Sequence, residues 1–120
     1  MTRVVLAEDD PTMVRLLSTL LRMEGYDVRA VDNGEDLEAA IERLAPEMLV
    51  LDMVLRDQNG LEILERLRGT AVGSRLYVLM ISGLDVGDLC LKRGADDFLL
   101  KPFMPEELTR RLQRHQFNSM

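Results

Sequence analysis

Several residue types that would identify a particular class of protein are scarce in this sequence of 120 residues. It contains a single cysteine, Cys90, so no internal disulfide can form, which is usual in a reducing cytoplasm. No apolar stretch reaches the roughly 18 residues of a membrane span. The residues before the first predicted strand are too few for a secretory signal. We therefore expect a cytoplasmic protein without a membrane partner.

Positive charge is also in short supply. The chain has 15 Lys and Arg against 21 Asp and Glu, which gives a formal net charge of -6. Nucleic acid is therefore not expected as a direct partner, because phosphate binding requires a basic surface. The densest basic cluster, 110–114, fits the C-terminal half of a helix, where cations face the helix dipole and solvent.

Strand and helix signals alternate along the chain, which is typical of an α/β sheet covered by helices on both faces. The apolar runs of the first, third and fourth strands are continuous, as in parallel strands buried on both faces, whereas the second strand alternates like an edge strand. We predict one domain over 1–120, with a core at about 3–116. Its fold class is α/β, a flavodoxin-like (βα)5 doubly wound five-stranded parallel sheet of order 2-1-3-4-5. The strands are predicted at about 3–8, 26–31, 48–52, 75–81 and 96–100.

The helices are predicted from apolar spacing and from their start and stop residues. Asp10 is expected to cap the first helix, and Cys90 is expected in the core on the apolar side of the fourth. A strong turn signal precedes the second helix at 32–34, and a loop is expected from Met53 to Gly60. The inward stripe of the first helix is predicted to comprise Met13, Leu16, Leu17, Leu20 and Leu21, and that of the second Leu37, Ala40, Ile41 and Leu44. The five helices are predicted to run from Pro11 to a stop at Gly25, from about 37 to a stop at Pro46, over 60–68, over about 85–93 before Gly94, and from Pro105 onward.

Polar side chains follow four of the predicted strands at the point where each strand ends. They are Glu8-Asp9-Asp10, Asp52, Ser82-Gly83 and Lys101-Pro102. Because the carboxyl ends of parallel strands meet at one edge of a sheet, we expect these groups in a single crevice. Carboxylates a few ångström apart repel one another unless a proton or a cation relieves them. Oxygen ligands at this density suit Mg²⁺.

The ordered set of motifs resembles the receiver domain of two-component response regulators over nearly the whole chain. It comprises Glu8-Asp9, Asp52, Gly60 eight residues later, Ser82, and the run from Gly94 to Phe103. The resemblance implies that Asp52 is a phosphoryl acceptor. It further implies a Mg²⁺ (or Mn²⁺) site in which Asp9, Asp52 and the backbone carbonyl of Val54 bind directly and Glu8 acts through a water.

The same resemblance assigns roles to residues on the last two strands. Lys101 supplies a fixed positive charge, and we expect it to form an ion pair with Asp9 or Asp52 before phosphorylation. Ser82 donates to a phosphoryl oxygen, with Gly83 leaving the approach open. Phe98 is the aromatic of the switch and is expected to favour an inward position. The family's Lys-Pro bond is commonly cis, as is then expected between Lys101 and Pro102.

A receiver of this kind takes its phosphoryl group from a sensor histidine kinase or a phosphotransfer protein. It is a regulatory acceptor rather than an enzyme, although it assists its own phosphoryl transfer and slow dephosphorylation. Its output surface is the face of the fourth helix, fifth strand and fifth helix, which docks an unknown downstream protein or a second copy in a homodimer. On this face the resemblance places Asp88, Leu91, Lys92, Arg93, Asp97, Arg110 and Arg111. No effector domain is expected in this chain, which is either a stand-alone receiver or a part of a longer regulator.

Three positions near the acceptor affect how long the phosphoryl group is retained and how the following loop is shaped. Val54 and Leu84 are apolar and cannot hydrogen-bond a hydrolytic water, so we expect slow loss of the phosphoryl group. Receivers usually carry proline four residues after the acceptor, and here that residue is Arg56. We expect a more mobile loop there, with the Arg56 side chain in solvent rather than at the phosphoryl group.

Three rival functions are weighed against this one. A haloacid-dehalogenase-type phosphatase needs a second Asp two residues after the nucleophile, and Val54 stands there. A flavodoxin needs a glycine- and hydroxyl-rich phosphate loop, which the acids at 8–10 would repel. A degenerate receiver that acts only as a protein-binding module is the remaining alternative, against which the intact acids, Ser82 and Lys101 argue.

Overall fold

A computed structural model of the protein describes residues 1–31, 36–56 and 58–118, and the predicted turn at 32–34 lies outside them. The strands of the described residues are β1 Arg3–Ala7, β2 Asp27–Ala30, β3 Met48–Asp52, β4 Val54–Leu55, β5 Gln58–Asn59, β6 Tyr77–Ser82 and β7 Asp97–Leu100. The helices are α1 Pro11–Met23, α2 Leu37–Leu44, α3 Gly60–Arg68, α4 Ala71–Ser74, α5 Gly87–Lys92 and α6 Pro105–Asn118. None of these helices combines the length and apolar character that crossing a bilayer requires.

Five strands form one parallel sheet in the order β2-β1-β3-β6-β7, which confirms the predicted fold class and places β2 at an edge. In the register of the sheet, Asp52 at the end of β3 lies opposite Ile81 of β6. The following residue of β6, Ser82, lies opposite Leu100 of β7. The residues at these strand ends are therefore brought to one edge by backbone pairing alone.

The core has one layer on each face of the sheet, because successive side chains of a strand point to opposite faces. Val4 and Leu6 of β1 pack with apolar residues of α1 and α6. Val5 and Ala7 pack on the other face with residues of α2, α3 and α5. Cys90 is fully buried in that second layer, which confirms its prediction as a core residue. Burial on both faces explains why the strands are continuously apolar.

Helix α1 follows its predicted boundaries but not every predicted core position. The Asp10 carboxylate caps it by accepting the N–H of Thr12 at 3.0 Å, as predicted. Leu17 and Leu21 are buried, whereas Leu16 is 50% exposed, so its prediction as an inward residue is wrong. The inward face of a helix takes up only residues spaced three to four apart, so not every leucine of this helix can lie on it.

Three short elements, the strands β4 and β5 and the helix α4, were not predicted. The expected loop after β3 contains a hairpin in which β4 and β5 pair antiparallel. The fourth strand of the sheet was expected from Arg75, but a short helix, α4, ends at Ser74 and β6 begins at Tyr77. Elements of two to four residues are too short to show the periodicity from which they would be recognised.

The end of α3 is joined to three other segments by the guanidinium group of Arg68. It donates to the carbonyl of Gly94 at 2.7 and 2.9 Å, to that of Gly73 at 2.8 Å and to that of Leu76 at 2.6 Å. It also forms an ion pair of 2.9 Å with Asp96, whose carboxylate accepts the N–H of Val78 at 2.8 Å. One side chain thus connects α3, α4, β6 and the turn before β7.

We predict that Arg68→Met lowers the free energy of unfolding by about 2–3 kcal/mol, because carbonyls that now accept from a charged donor lose that partner. Urea unfolding followed by circular dichroism measures this loss. Arg66→Met on the same helix is the matched control, since Arg66 forms an exposed ion pair with Glu38. That variant is expected to change stability little, and equal losses in the two would contradict the role of Arg68.

Candidate functional site

The candidate site lies at the edge of the sheet where the carboxyl ends of β1, β3, β6 and β7 meet. Glu8 directly follows β1 and is only 5% exposed, and Asp52 at the end of β3 is 7% exposed. Ser82 ends β6 and is also buried, and Lys101 directly follows β7. Polar side chains are rarely buried unless they have partners, so the contacts among these four groups define the site.

The ammonium group of Lys101 lies between two carboxylates. Its Nζ is 2.7 Å from Oδ2 of Asp52 and 2.8 Å from Oε1 of Glu8. The predicted ion pair with Asp9 or Asp52 is therefore present with Asp52, and Glu8 is a second partner that was not predicted. Glu8 stands at the end of a buried strand, and its side chain points into the cleft.

Charge in the cleft is unbalanced, because two carboxylates share one cation. Burial, together with the nearby carboxyl group of Asp52, raises the pKa of Glu8 above its ordinary value, and the opposing effect of Lys101 is smaller. Burial by itself would lower the pKa of Lys101, but its hydrogen bonds to Asp52 and Glu8 outweigh this and raise it. The cleft therefore favours a bound proton or an additional cation.

The other carboxylate oxygens in the cleft accept backbone N–H groups. Oε2 of Glu8 accepts from Asp9 at 2.8 Å, and Oδ1 of Asp52 accepts from Val54 at 3.1 Å. Oδ2 of Asp9 accepts the N–H of Arg56. Among the described residues, no three His, Cys, Asp or Glu side chains are grouped closely enough to hold a metal ion. Glu8 and Asp52 are thus brought together, whereas the carboxylate of Asp9 is engaged by the β4–β5 hairpin.

The loop after β6 carries the predicted hydroxyl group. Oγ of Ser82 accepts the N–H of Leu84 at 3.0 Å, and the carbonyl of Ser82 accepts the N–H of Lys101 at 2.7 Å. Gly83 is exposed, and a methyl group added there would meet no other atom. Val54 and Leu84, which lie two residues beyond Asp52 and Ser82 in the sequence, are both exposed.

Phe98 on β7 is half-buried and packs against the core layer that contains α5. Its ring lies so close to Gly87 that a methyl group there would be 3.0 Å from Cδ2 of Phe98. The peptide bond between Lys101 and Pro102 is cis, which confirms the expectation from the resemblance.

The predicted output surface corresponds to α5, β7 and α6 in the structure. The charge of Arg111 is paired within the chain, because its guanidinium group forms ion pairs with Asp97 at 2.6 Å and with Glu107 at 3.0 Å. Arg93 likewise pairs with Glu65 of α3 at 2.5 Å. Leu91 and Leu100 are exposed on this part of the molecule. The surface therefore presents apolar side chains beside internally paired charges.

The sequence matches the family model of the response regulator receiver domain over residues 4–113. The chain belongs to this family. Receiver domains act in two-component systems. Phosphorylation-based signalling is therefore the general function of the chain.

Relatives of this receiver domain include two mycobacterial regulators. The DNA-binding response regulator MtrA of Mycolicibacterium smegmatis is 34% identical over 113 residues, and the transcriptional regulatory protein TrcR of Mycobacterium tuberculosis is 38% identical over 112 residues. Each alignment covers 92% of the present chain, but 49% of MtrA and 44% of TrcR. The chain thus spans about half the length of these relatives.

Solved structures of similar fold are also receiver domains. The receiver domain of the Francisella response regulator 1452 superposes with a TM-score of 0.91 at 25% identity and full coverage of both chains (100%). The receiver domain of the sensor histidine kinase PA1611 of Pseudomonas aeruginosa gives a TM-score of 0.82 at 31% identity, covering 94% of this chain and 95% of that one. The PA1611 structure has a magnesium ion coordinated in the active-site cleft.

We predict that Lys101→Met destabilises this receiver domain and that the loss depends on pH. The pKa of Glu8 is raised, so its contribution to stability is present below its ordinary value of 4.5 and lost as pH rises through the raised value. Without Lys101 the ionised Glu8 is costlier still. Since 24% of the Lys101 side chain is exposed, we expect a loss of about 2 kcal/mol at about pH 7, less than for a fully buried pair, and a smaller loss at about pH 5.

Urea unfolding at both pH values measures this difference. The contribution of Lys101 to stability is present below its ordinary pKa of 10.5 and is lost only above it, so the dependence between about pH 5 and 7 reports the carboxyl groups that it contacts and not Lys101 itself. Lys92→Met, on the exposed side of α5, is the matched control and should change stability little at either pH. A loss in Lys101→Met that is the same at both pH values would contradict the coupling.

Proposed function

We propose that this chain acts as a single receiver domain that is switched by phosphorylation of Asp52. The phosphoryl group comes from a phosphohistidine of a sensor histidine kinase or a phosphotransfer protein. The observation that carries the proposal is the pairing of the nearly buried Asp52 carboxylate with Lys101, beside a second buried carboxylate, at the open edge of the sheet. This arrangement holds a nucleophilic oxygen next to a fixed positive charge.

The transfer forms a bond between an Asp52 carboxylate oxygen and phosphorus. The phosphorus–nitrogen bond of the donor breaks, and the imidazole leaves with that electron pair. Phosphoryl transfer depends chiefly on positioning and on compensation of charge, and the residues of the cleft supply both. Lys101 orients the carboxylate before the reaction and offers its ammonium group to the phosphoryl oxygens afterwards. Ser82 lies at the next strand end, and its hydroxyl is a further donor for those oxygens.

A divalent cation, Mg²⁺ or Mn²⁺, fits the residues of the cleft. Glu8, Asp9, Asp52 and the carbonyl of Val54 offer only oxygen ligands, which suit these ions. Burial first, and then the neighbouring carboxyl group of Asp52, raise the pKa of Glu8, and a bound cation would favour its ionised form. When bound, the ion neutralises charge on the phosphoryl oxygens. The magnesium ion in the cleft of the PA1611 receiver supports the same assignment here.

Phosphorylation adds nearly two negative charges beside Asp52, and we propose that Ser82 and Phe98 transmit this change. Ser82 turns its hydroxyl toward the phosphoryl group, and the hydrogen bond that it now accepts from the N–H of Leu84 is lost. Phe98 lies between α5 and the core, where a shift in its ring changes how α5 packs. The α5-β7-α6 surface then docks a downstream protein or a second copy of the receiver. Gly83 keeps the approach to the phosphoryl group open.

We propose a regulatory role in the cytoplasm rather than an enzymatic one, because Asp52 is both the group modified and the group that signals. Neither nucleic acid nor a membrane is proposed as a direct partner of these residues.

We predict that the parent protein gains the mass of one phosphoryl group when it is incubated with a small phosphodonor and Mg²⁺. Asp52→Asn should abolish the gain, because an amide cannot form the acyl phosphate. Intact-protein mass spectrometry measures both.

Asp10→Asn is the matched control for removing a carboxylate near the cleft. Asp10 is exposed and caps α1, and asparagine is an equally good cap. This variant should gain the full mass. A parent protein that takes up no phosphoryl group would favour the alternative of a phosphorylation-independent binding module.

We predict that the phosphorylated protein loses its label slowly and that Val54→Asn accelerates the loss several-fold. The amide can hydrogen-bond a water beside the phosphorus, whereas valine cannot, and the backbone carbonyl proposed as a metal ligand is unchanged. Mass spectrometry over time measures both rates. Val54→Leu, which remains apolar, should decay at the parent rate, and rapid decay of the parent would refute the prediction.

A further inference from the structure

The β4–β5 hairpin contacts two of the three acids in the cleft through its backbone. The N–H of Val54, at its start, donates to Oδ1 of Asp52 at 3.1 Å. The N–H of Arg56, where its turn begins, donates to Oδ2 of Asp9. The hairpin is therefore attached both to the proposed phosphoryl acceptor and to a proposed metal ligand.

Arg56 is the first residue of the two-residue connection between Leu55 and Gln58, where hairpin turns require a positive φ angle. Its φ angle is 51°, in the left-handed region that residues other than glycine seldom occupy. Such a conformation persists only where surrounding interactions compensate for it. The hydrogen bond to Asp9 is one such interaction, and it is strengthened by the charge of the acceptor.

The base of the hairpin has little room to move. The N–H of Gly60 donates to the carbonyl of Met53 at 2.6 Å. A methyl group on Gly60 would lie 2.6 Å from the carbonyl oxygen of Asp52, so the backbones are in close contact. Because the base is fixed against the end of β3, we expect a movement of the Asp9 carboxylate to displace mainly the backbone at Arg56.

The position of Asp9 bears directly on metal binding. Glu8 and Asp52 share Lys101, but among the described residues no third carboxylate completes a metal-binding group with them. Asp9 would have to join Asp52 to complete it. Its charged Oδ2 atom now accepts the N–H of Arg56, and hydrogen bonds to charged acceptors are among the stronger ones in proteins.

We propose that Arg56 is a positioning residue whose backbone N–H holds the Asp9 carboxylate away from the Glu8–Asp52 pair. A divalent cation displaces this N–H when it recruits Asp9, so the hairpin turn reports whether the metal is bound. The inference rests on the proposed function, since it concerns regulation of the same site. It assigns the effect to the backbone of Arg56 and not to its charge.

We predict that Arg56→Pro binds Mn²⁺ about five- to tenfold more tightly than Arg56→Gly, because the competing hydrogen bond is lost. Proline has no N–H and cannot adopt a positive φ angle, whereas glycine retains the N–H and accepts that conformation readily. Both variants lack the arginine charge, so they differ in the backbone at this position, where Arg56→Pro loses both the N–H and the positive φ angle. The electron paramagnetic resonance signal of free Mn²⁺ measures the two affinities.

A second measurement uses the parent protein and decides the question even if Arg56→Pro does not fold. In the ¹H–¹⁵N correlation spectrum, the amide proton of Arg56 should resonate downfield without metal, as expected of a strong hydrogen bond to a carboxylate. Titration with diamagnetic Mg²⁺ should move it upfield in step with saturation of the site.

The outcomes separate this inference from the proposed function. Equal affinities in the two variants, or an Arg56 amide that stays in place while those of Asp52 and Lys101 respond to Mg²⁺, would overturn the role of Arg56 and leave the metal site intact. A parent protein in which none of these amides responds to Mg²⁺ would overturn the metal site, and the inference with it.

Discussion

The Lys101 ammonium group lies between the carboxylates of Glu8 and Asp52, and the arrangement of the cleft depends on this contact. Two ionised acids buried side by side need a cation, because each disfavours ionisation of the other. Burial and the neighbouring Asp52 raise the pKa of Glu8 even though the ammonium group of Lys101 opposes this. The ion pairs of Lys101 hold the cleft together, and the two carboxylates can still bind a further proton or cation.

Pairing of the strands brings the polar groups at their ends to one edge of the sheet. Asp52, which ends β3, lies opposite Ile81, and Ser82, which ends β6, lies opposite Leu100, directly before Lys101. The apolar strands cannot slip by one residue without turning their buried side chains toward the opposite layer. Core packing thus fixes the register, and the register fixes the site.

The hairpin after β3 adds a constraint that the sheet does not supply. It is attached to the end of β3 through the close contact at Gly60, and it reaches across to Asp9 through the N–H of Arg56. Backbone groups of a connecting segment therefore occupy carboxylate oxygens that the proposed metal site requires. A receiver cleft of this kind can be adjusted through its loop while its acids remain the same.

The sequence by itself determined the fold class, the strand order and the set of polar residues at the edge, because apolar runs and strand ends are local patterns. It did not determine that Lys101 pairs with Glu8 as well as with Asp52, that Leu16 is exposed, or that a hairpin follows Asp52. Neighbouring acids look alike in sequence, and only the packed sheet decides which of them turns inward. The positive φ angle of Arg56 fits the two-residue turn of that hairpin, and its N–H reaches Asp9, a residue far away along the chain.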